Sequence, residues 1–175
     1  MAFRTPLHVR WGDLDPAGIV YYPRFMHFCH VAMEEFFRDA IGIDYPKLLR
    51  EHRIGFPVVH LETEYHRPLR YGDETEIEVS IPRVGGSSVS WRYRFLHRDI
   101  ERPAAESRIA TVCVAMDSFQ KTAVLEWLAE LFRSPIFRLL CWRPQPDRPS
   151  MTCCRGTRWS PRAIRRLVAR LAPVR

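Results

Sequence analysis

The spacing of hydrophobic residues changes along the chain, and each change marks a different kind of element. Residues 3 to 10, FRTPLHVR, are short and bounded by a Gly-Asp turn, which predicts a first strand. After a loop from Gly12 to Tyr22, apolar residues recur at spacings of three and four: Phe25, Phe28, Cys29, Ala32, Phe36 and Ala40. Met26, Met33, Phe37 and Ile41 widen that stripe, so a largely buried helix of roughly five turns is expected. Pro23 suits its first position, where a missing N–H costs nothing, and Gly42 is placed to end it. The next piece, DYPKLLREHRIG, reads as a shorter helical or irregular segment that closes over something.

From Pro57 to Asp117 the period falls to two. PVVHLETEYH, a turn at RYGD, ETEIEVSIPRV, a Gly85-Gly86 turn, SSVSWRYRFLHRD, a polar loop around Glu101 to Ala104, and ESRIATVCVAMD predict a four-strand meander. Alternation in ETEIEVSI and VSWRYRFLH puts apolar residues on one face only. One long helix followed by a one-sided sheet is an α+β pattern in which the sheet wraps the helix. LEWLAELF, Leu125 to Phe132, predicts a short last helix. No internal repeat is visible.

Beyond Ser134 the pattern dissolves. Residues 134–175 hold six prolines, ten arginines, no lysine and a single acid, Asp147. The chain therefore divides into a domain over residues 1–133 and an arginine- and proline-rich extension over 134–175, expected to be partly disordered, with a basic amphipathic helix near RAIRRLVARL. The 175 residues, 46% hydrophobic and 12% aromatic, suffice for one core without staples.

Charge follows the same division. The whole chain carries +7, the extension +9, and the body therefore −2. A fold that presented a basic face to phosphates would carry that charge in its body, so no specific nucleic-acid partner is expected, although the extension suits an anionic surface. Five cysteines without paired CxxC spacing argue against a disulfide framework and a zinc site, and Cys153-Cys154 has no histidine nearby. With no run of about 18 apolar residues and no apolar leader in MAFRTPLHVRWGDLD, a cytoplasmic protein is expected.

The densest chemistry lies in WGDLDPAGIVYY, Trp11 to Tyr22, which sets two carboxylates, a Pro-Ala-Gly turn and two tyrosines before the buried helix. A helix N-terminus offers unpaired N–H groups and partial positive charge, which suit an oxygen gaining negative charge in a transition state. Tyr22 immediately precedes the helix-starting proline, so its N–H is expected to stay outside the helix ladder. A carboxylate upstream in the same loop could attack a carbonyl carbon or activate water against it. The same aspartates also read as turn or cap residues. A DxD metal site is set aside, because no Gly-rich phosphate loop or second acidic cluster follows.

The run GDLDPAGIVYYPRF resembles the signature of the 4-hydroxybenzoyl-CoA thioesterase family of hotdog proteins, and HRPLRYGD with the strand after it resembles the family's next segment. The likeness spans about residues 3 to 133. It implies the hotdog fold, hydrolysis of acyl-CoA or aryl-CoA thioesters to the free acid and coenzyme A, no metal or other cofactor, and a homo-oligomer, dimer or tetramer. The resemblance further implies that Asp15 is the nucleophile or general base, that the Tyr22 backbone N–H polarises the thioester carbonyl, and that Asp13 is structural. Gly18 would let the backbone approach the substrate closely. His60, in PVVH, is similar to a residue that reaches an acyl pocket across a subunit interface, beside its plainer reading as a strand histidine. His66 falls six residues on, on the same face as His60, and His30 reads as a rim histidine of the helix.

Coenzyme A brings a phosphorylated nucleotide, for which Arg67, Arg70 and Arg83 are candidates. Each also reads as a solvated surface charge, and Gly85, Gly86 and Ser87 stand where some family members carry basic residues. A non-catalytic acyl-CoA or acyl-carrier-protein binding module is the alternative, for which loss of the carboxylate at position 15 would be the telling feature. Asp15 is present.

Overall fold

The computed structural model describes residues 2–97 and 100–133. The extension from residue 134, with its predicted basic helix, lies outside the described residues. Strand β1 (Phe3–His8) leads through the Trp11–Tyr22 loop into helix α1 (Arg24–Phe36), which continues through one π-helical turn at Phe37–Ile41. Gly42, at φ +81°, ends the helix, and the Ile43 N–H closes on the Phe37 carbonyl at 3.1 Å. The predicted span is therefore helical throughout. Phe36 and Phe37, at the junction of the α and π turns, are both fully buried, and Ala32 and Met33 one turn earlier are buried too.

After α1 come α2 (Tyr45–Arg50), β2 (Ile54–Gly55), β3 (Val58–Tyr65), β4 (Glu74–Val84), β5 (Ser88–His97), β6 (Ile100–Val112), β7 (Val114–Ala115) and α3 (Glu126–Arg133). Five strands form one antiparallel sheet in the order β1-β4-β5-β6-β3, while β2 and β7 pair separately. The expected meander is thus three strands long. β3 does not neighbour β4 but pairs with β6 at the far edge, because HRPLRYGD carries the chain across to the other side. Alternation fixes which face a residue takes and is silent about which strand lies beside it.

The expected polar loop at Glu101 to Ala104 is part of β6 instead. Ala104 and Ala105 are fully buried, and the Ala104 carbonyl accepts the His66 and Arg67 N–H groups at 2.8 and 3.1 Å, which draws the segment into the sheet.

The helix-facing side of the sheet presents Ile77, Val79, Val89, Trp91, Tyr93, Phe95 and Ile109 to α1. At its centre Trp91 meets Phe36 and Phe132 edge-on, each at 5.7 Å. Its indole N–H donates to the Thr111 hydroxyl at 3.0 Å, so the buried polar atom is satisfied. Truncating such an aromatic to alanine costs about 3–5 kcal/mol. The opposite face is a ladder of alternating charges: Arg4 and Arg94 hold Glu78 at 2.8 and 2.9 Å, and Arg92 and Arg108 hold Glu106 at 2.6 and 2.9 Å. This sheet around one helix is the α+β arrangement expected from the sequence.

Candidate active site

Asp13 shapes the loop that carries the candidate chemistry. It is 8% exposed, accepts the Arg10 N–H through Oδ2 at 2.8 Å, and faces the Arg24 guanidinium at 3.5 Å. Its carbonyl accepts the Tyr21 N–H at 2.9 Å. One residue thus ties the start of the loop to its end and to α1, and its carboxylate is committed to that work.

Between these anchors the chain folds back tightly. Leu14 bridges Val20, the Asp15 N–H donates to the Ile19 carbonyl at 2.9 Å, and the Gly18 N–H donates to the Asp15 carbonyl at 2.9 Å. The Asp15 carboxylate caps the turn through Oδ1, which accepts the Ala17 N–H at 2.8 Å. Its Oδ2 has no hydrogen-bond donor among the described residues. Gly18 takes φ +74°, a left-handed conformation that side chains disfavour, and a Cβ placed there would meet nothing within 4 Å. The surface over Gly18 is therefore open to an approaching molecule. The Val20 N–H donates to the Leu69 carbonyl at 2.8 Å, fixing the loop against the segment between β3 and β4.

The helix start has a particular electrostatic economy. Pro23 has no N–H, and the next three N–H groups, of Arg24, Phe25 and Met26, bond back to the carbonyls of Tyr21, Tyr22 and Pro23 at 2.8, 3.3 and 3.1 Å. The Tyr22 N–H alone in this turn has no acceptor among the described residues, and Tyr22 is 64% exposed. A free donor at the positive end of α1, on the same loop as a carboxylate with a free oxygen, is an arrangement that can stabilise an oxyanion beside a base or nucleophile.

The remaining candidates fall in three places. Arg70 directly follows Leu69, whose carbonyl meets the loop, and Arg67 stands two residues before it; Arg67 Nη2 is buried without an acceptor among the described residues, and the Arg70 N–H donates to the Asp73 carboxylate at 2.8 Å. His60 stands on the charged face of edge strand β3, exposed, 3.9 Å from the Glu62 carboxylate. Arg83 lies opposite Ser90 near the other end of β4 from Glu74, roughly 30 Å along the strand at 3.3 Å per residue. Within one protomer, then, Asp15 and Gly18 are hydrogen-bonded neighbours, Tyr22 closes the same loop, the Arg67–Arg70 segment meets that loop through Leu69, and His60 and Arg83 lie on strands away from it.

One neighbour of this site escaped the sequence reading. The Tyr65 hydroxyl, from the end of β3, donates to the Tyr22 carbonyl at 3.4 Å, while its ring meets Phe25 edge-on at 5.1 Å. Tyr65 shares the helix-facing side of β3 with Leu61 and Thr63, opposite Ala105 of β6, and that β3 ends beside the start of α1 is visible only in the fold.

Residues 9–132 match the family model of the thioesterase-like superfamily. The chain belongs to this superfamily. A 1,4-dihydroxy-2-naphthoyl-CoA hydrolase of Synechococcus elongatus is 30% identical over 123 residues, which cover 70% of this chain and 88% of the relative. Among solved structures, a 1,4-dihydroxy-2-naphthoyl-CoA thioesterase from Synechocystis superposes with a TM-score of 0.70 at 19% identity, covering 78% of this chain and 98% of that one. The BH1999 gentisyl-coenzyme A thioesterase superposes at 0.63 with 24% identity, covering 70% and 96%. These likenesses confirm the hotdog fold that the sequence signature implied.

Proposed function

We propose that this superfamily member hydrolyses CoA thioesters of acyl or aryl acids, with Asp15 and the Tyr22 N–H as its reacting groups. The observation that carries this reading is that one loop holds both a carboxylate oxygen without a donor and a backbone N–H without an acceptor, among the described residues, at the start of α1. In the general-base course Asp15 takes a proton from water, hydroxide adds to the thioester carbonyl carbon, and the resulting oxyanion accepts the Tyr22 N–H. Collapse breaks the carbon–sulfur bond, and the leaving CoA thiolate takes up the proton. In the nucleophilic course the carboxylate itself adds, CoA leaves, and water hydrolyses the mixed anhydride. Both courses need the same two groups.

Relatives named for 1,4-dihydroxy-2-naphthoyl-CoA and a structural neighbour named for gentisyl-coenzyme A favour an aromatic acyl group bearing hydroxyls. Arg67 and Arg70, adjoining the loop, are the phosphate-facing candidates, and Gly18 opens the surface to the thioester. His60 and Arg83 could serve a site only from a second subunit.

A second subunit is itself part of the reading. β3 is an edge strand with one side unpaired among the described residues, and Val58, Val59, Leu61 and Tyr65 are exposed along it. An exposed apolar edge of this length is a template for pairing with another strand. A second copy joined edge to edge would cover it, giving a homodimer that could pair further. Residues 1–133 are read as the catalytic unit, and the +9 charge of residues 134–175 suits that extension to anionic surfaces. With substrates of this class, we read the protein as an enzyme working in the cytoplasm.

The test is release of free CoA thiol from a panel spanning 1,4-dihydroxy-2-naphthoyl-, gentisyl-, hydroxybenzoyl- and short aliphatic CoA thioesters. Turnover is expected to be highest with a hydroxylated aromatic group. Release no faster than spontaneous hydrolysis across the whole panel refutes the reading.

A further inference from the structure

The Tyr22 peptide is held from the side of the sheet as well as from its own helix. Its carbonyl accepts the Phe25 N–H at 3.3 Å and the Tyr65 hydroxyl at 3.4 Å. Tyr65 comes from β3, which is distant in sequence but ends against the first turn of α1, with its ring packed on Phe25. The tyrosine does not stand alone. Thr63, two residues back on the same face, bonds the fully buried Ser107 hydroxyl at 2.9 Å, and Ser107 in turn lies beside the Cys29 thiol on α1. Thr63 is also close enough to the Tyr65 phenol to moderate the rise that burial gives its pKa. Ser107 and Thr63, beside Cys29 of α1, thus line the sheet face that ends at Tyr65, and of these residues Tyr65 alone reaches the Tyr22 carbonyl.

Resting on the proposed reading of the site, we infer that Tyr65 is a positioning residue that fixes the Tyr22 peptide for oxyanion binding. The free N–H belongs to the peptide unit just before the Tyr22 α-carbon and the held carbonyl to the unit just after it. Only two backbone torsions separate them. The unit before is fixed by the Tyr21 carbonyl, which accepts the Arg24 N–H at 2.8 Å. The unit after has only the longer Phe25 bond and Tyr65. Donors for a developing charge act best when already oriented, because no reorganisation remains to be done as the charge forms. Tyr65 touches no reacting atom; it acts through Tyr22.

The deciding variant is Tyr65→Phe, which keeps the ring against Phe25 and removes only the hydroxyl. Losing one neutral hydrogen bond that orients a transition-state donor predicts a fall in kcat of about three- to tenfold. KM, oligomeric mass and melting temperature should stay at wild-type values, since ground-state binding and packing are untouched. Amide exchange at Phe25 supplies a readout that needs no substrate, and it should quicken severalfold as the turn loosens. An unchanged kcat, or unchanged exchange at Phe25, overturns the assignment. So does a kcat loss that appears only together with subunit dissociation or a lower melting temperature, for then Tyr65 is a packing residue. Asp15→Asn run in parallel separates this inference from the reading beneath it. Full turnover in that variant removes the reading, whereas an inactive Asp15→Asn beside an unaffected Tyr65→Phe removes only Tyr65.

Discussion

Asp15 caps its own turn through one carboxylate oxygen, accepting the Ala17 N–H at 2.8 Å, while the other oxygen has no donor among the described residues. Asp13, two residues earlier, spends both oxygens on Arg10 and Arg24. Asp15→Asn retains an oxygen for the Ala17 bond and loses the base or nucleophile. Turnover should fall at least about a hundredfold, the usual size of an acid–base contribution, with melting temperature near wild type. Asp13→Ala should do the reverse in kind, lowering melting temperature and dragging activity down only through the disordered loop. Steady-state thiol release beside thermal melts distinguishes the two, and near-normal turnover in a folded Asp15→Asn protein removes Asp15 from the chemistry.

Gly18 separates backbone strain from substrate access. Alanine there must adopt φ +74°, which costs a residue with a β-carbon about 1–2 kcal/mol, and it projects a methyl group into the open surface beside Asp15. Asparagine tolerates the same backbone far better. Gly18→Ala should therefore lose stability and kcat/KM together, while Gly18→Asn should recover stability and still lose activity, by about tenfold or more if the site excludes a side chain of a few atoms. Wild-type kcat/KM in a stable Gly18→Asn variant means that substrate does not pass over this glycine.

Much of this arrangement was legible before any coordinates, for reasons that differ by element. The stripe from Phe25 to Ile41 and the stops at Pro23 and Gly42 are local features, so the buried helix could be read directly. Asp15, Gly18 and Tyr22 share one loop, and a loop's chemistry is written consecutively. Strand order is not local: nothing within VVHLETEY states that it pairs with β6 at the edge while ETEIEVSIPRV pairs with β1 and β5. Tyr65 was invisible for the same reason, since its meaning depends on where β3 ends in space. Arg83 shows the converse limit, a plausible phosphate ligand by type that lies along β4 away from its protomer's loop.

The charged face of the sheet should make the fold sensitive to acid. Burial works to raise the Glu78 pKa, but its hydrogen bonds to Arg4 and Arg94 outweigh burial and hold the carboxyl below the usual carboxylate range. Glu106 is held low chiefly by its hydrogen bond from Arg92. Carboxyls with a depressed folded-state pKa stabilise the native state above their unfolded value, about 4.3, and that stabilisation is lost as pH falls through the folded value. Melting temperature should accordingly drop between about pH 5 and pH 3, through this range. Glu106→Gln should melt lower than wild type at pH 7 and show a shallower fall toward pH 3. Parallel curves for the two proteins across that range would exclude Glu106 from the acid response.

The edge strand supplies a test of assembly. Val59 and Leu61 are 62% and 40% exposed on a strand whose outer side has no partner strand among the described residues. Lysine on an edge strand is a standard guard against pairing, because strand addition would bury its charge. The double variant Val59→Lys, Leu61→Lys should sediment as a monomer with the far-ultraviolet spectrum of the wild type. Activity should fall with the mass if a second subunit completes the site. Wild-type mass in the double variant would move the interface to another surface.

Whether residues 134–175 belong to the folded unit can be decided at the end of α3. Leu128 is fully buried and Phe132 packs against Trp91 at 5.7 Å, so α3 is part of the core even though it is the last described element. Arg133 is exposed and closes that helix. The extension that follows joins six prolines to a +9 charge, a composition ill suited to a packed core of its own. A chain ending at Arg133 should therefore remain soluble, keep its oligomeric mass and hydrolyse substrate at the wild-type rate. A chain ending at Leu125 should not, because it removes Leu128 and Phe132, whose loss costs about 2–5 kcal/mol each by comparison with core truncations. Light scattering, thermal melts and thiol release on the two truncated chains test both statements. If the chain ending at Arg133 unfolds or dissociates like the shorter one, the extension is part of the core. If it keeps its fold and activity but no longer binds anionic vesicles that the full chain binds, the extension is a separate surface-seeking element.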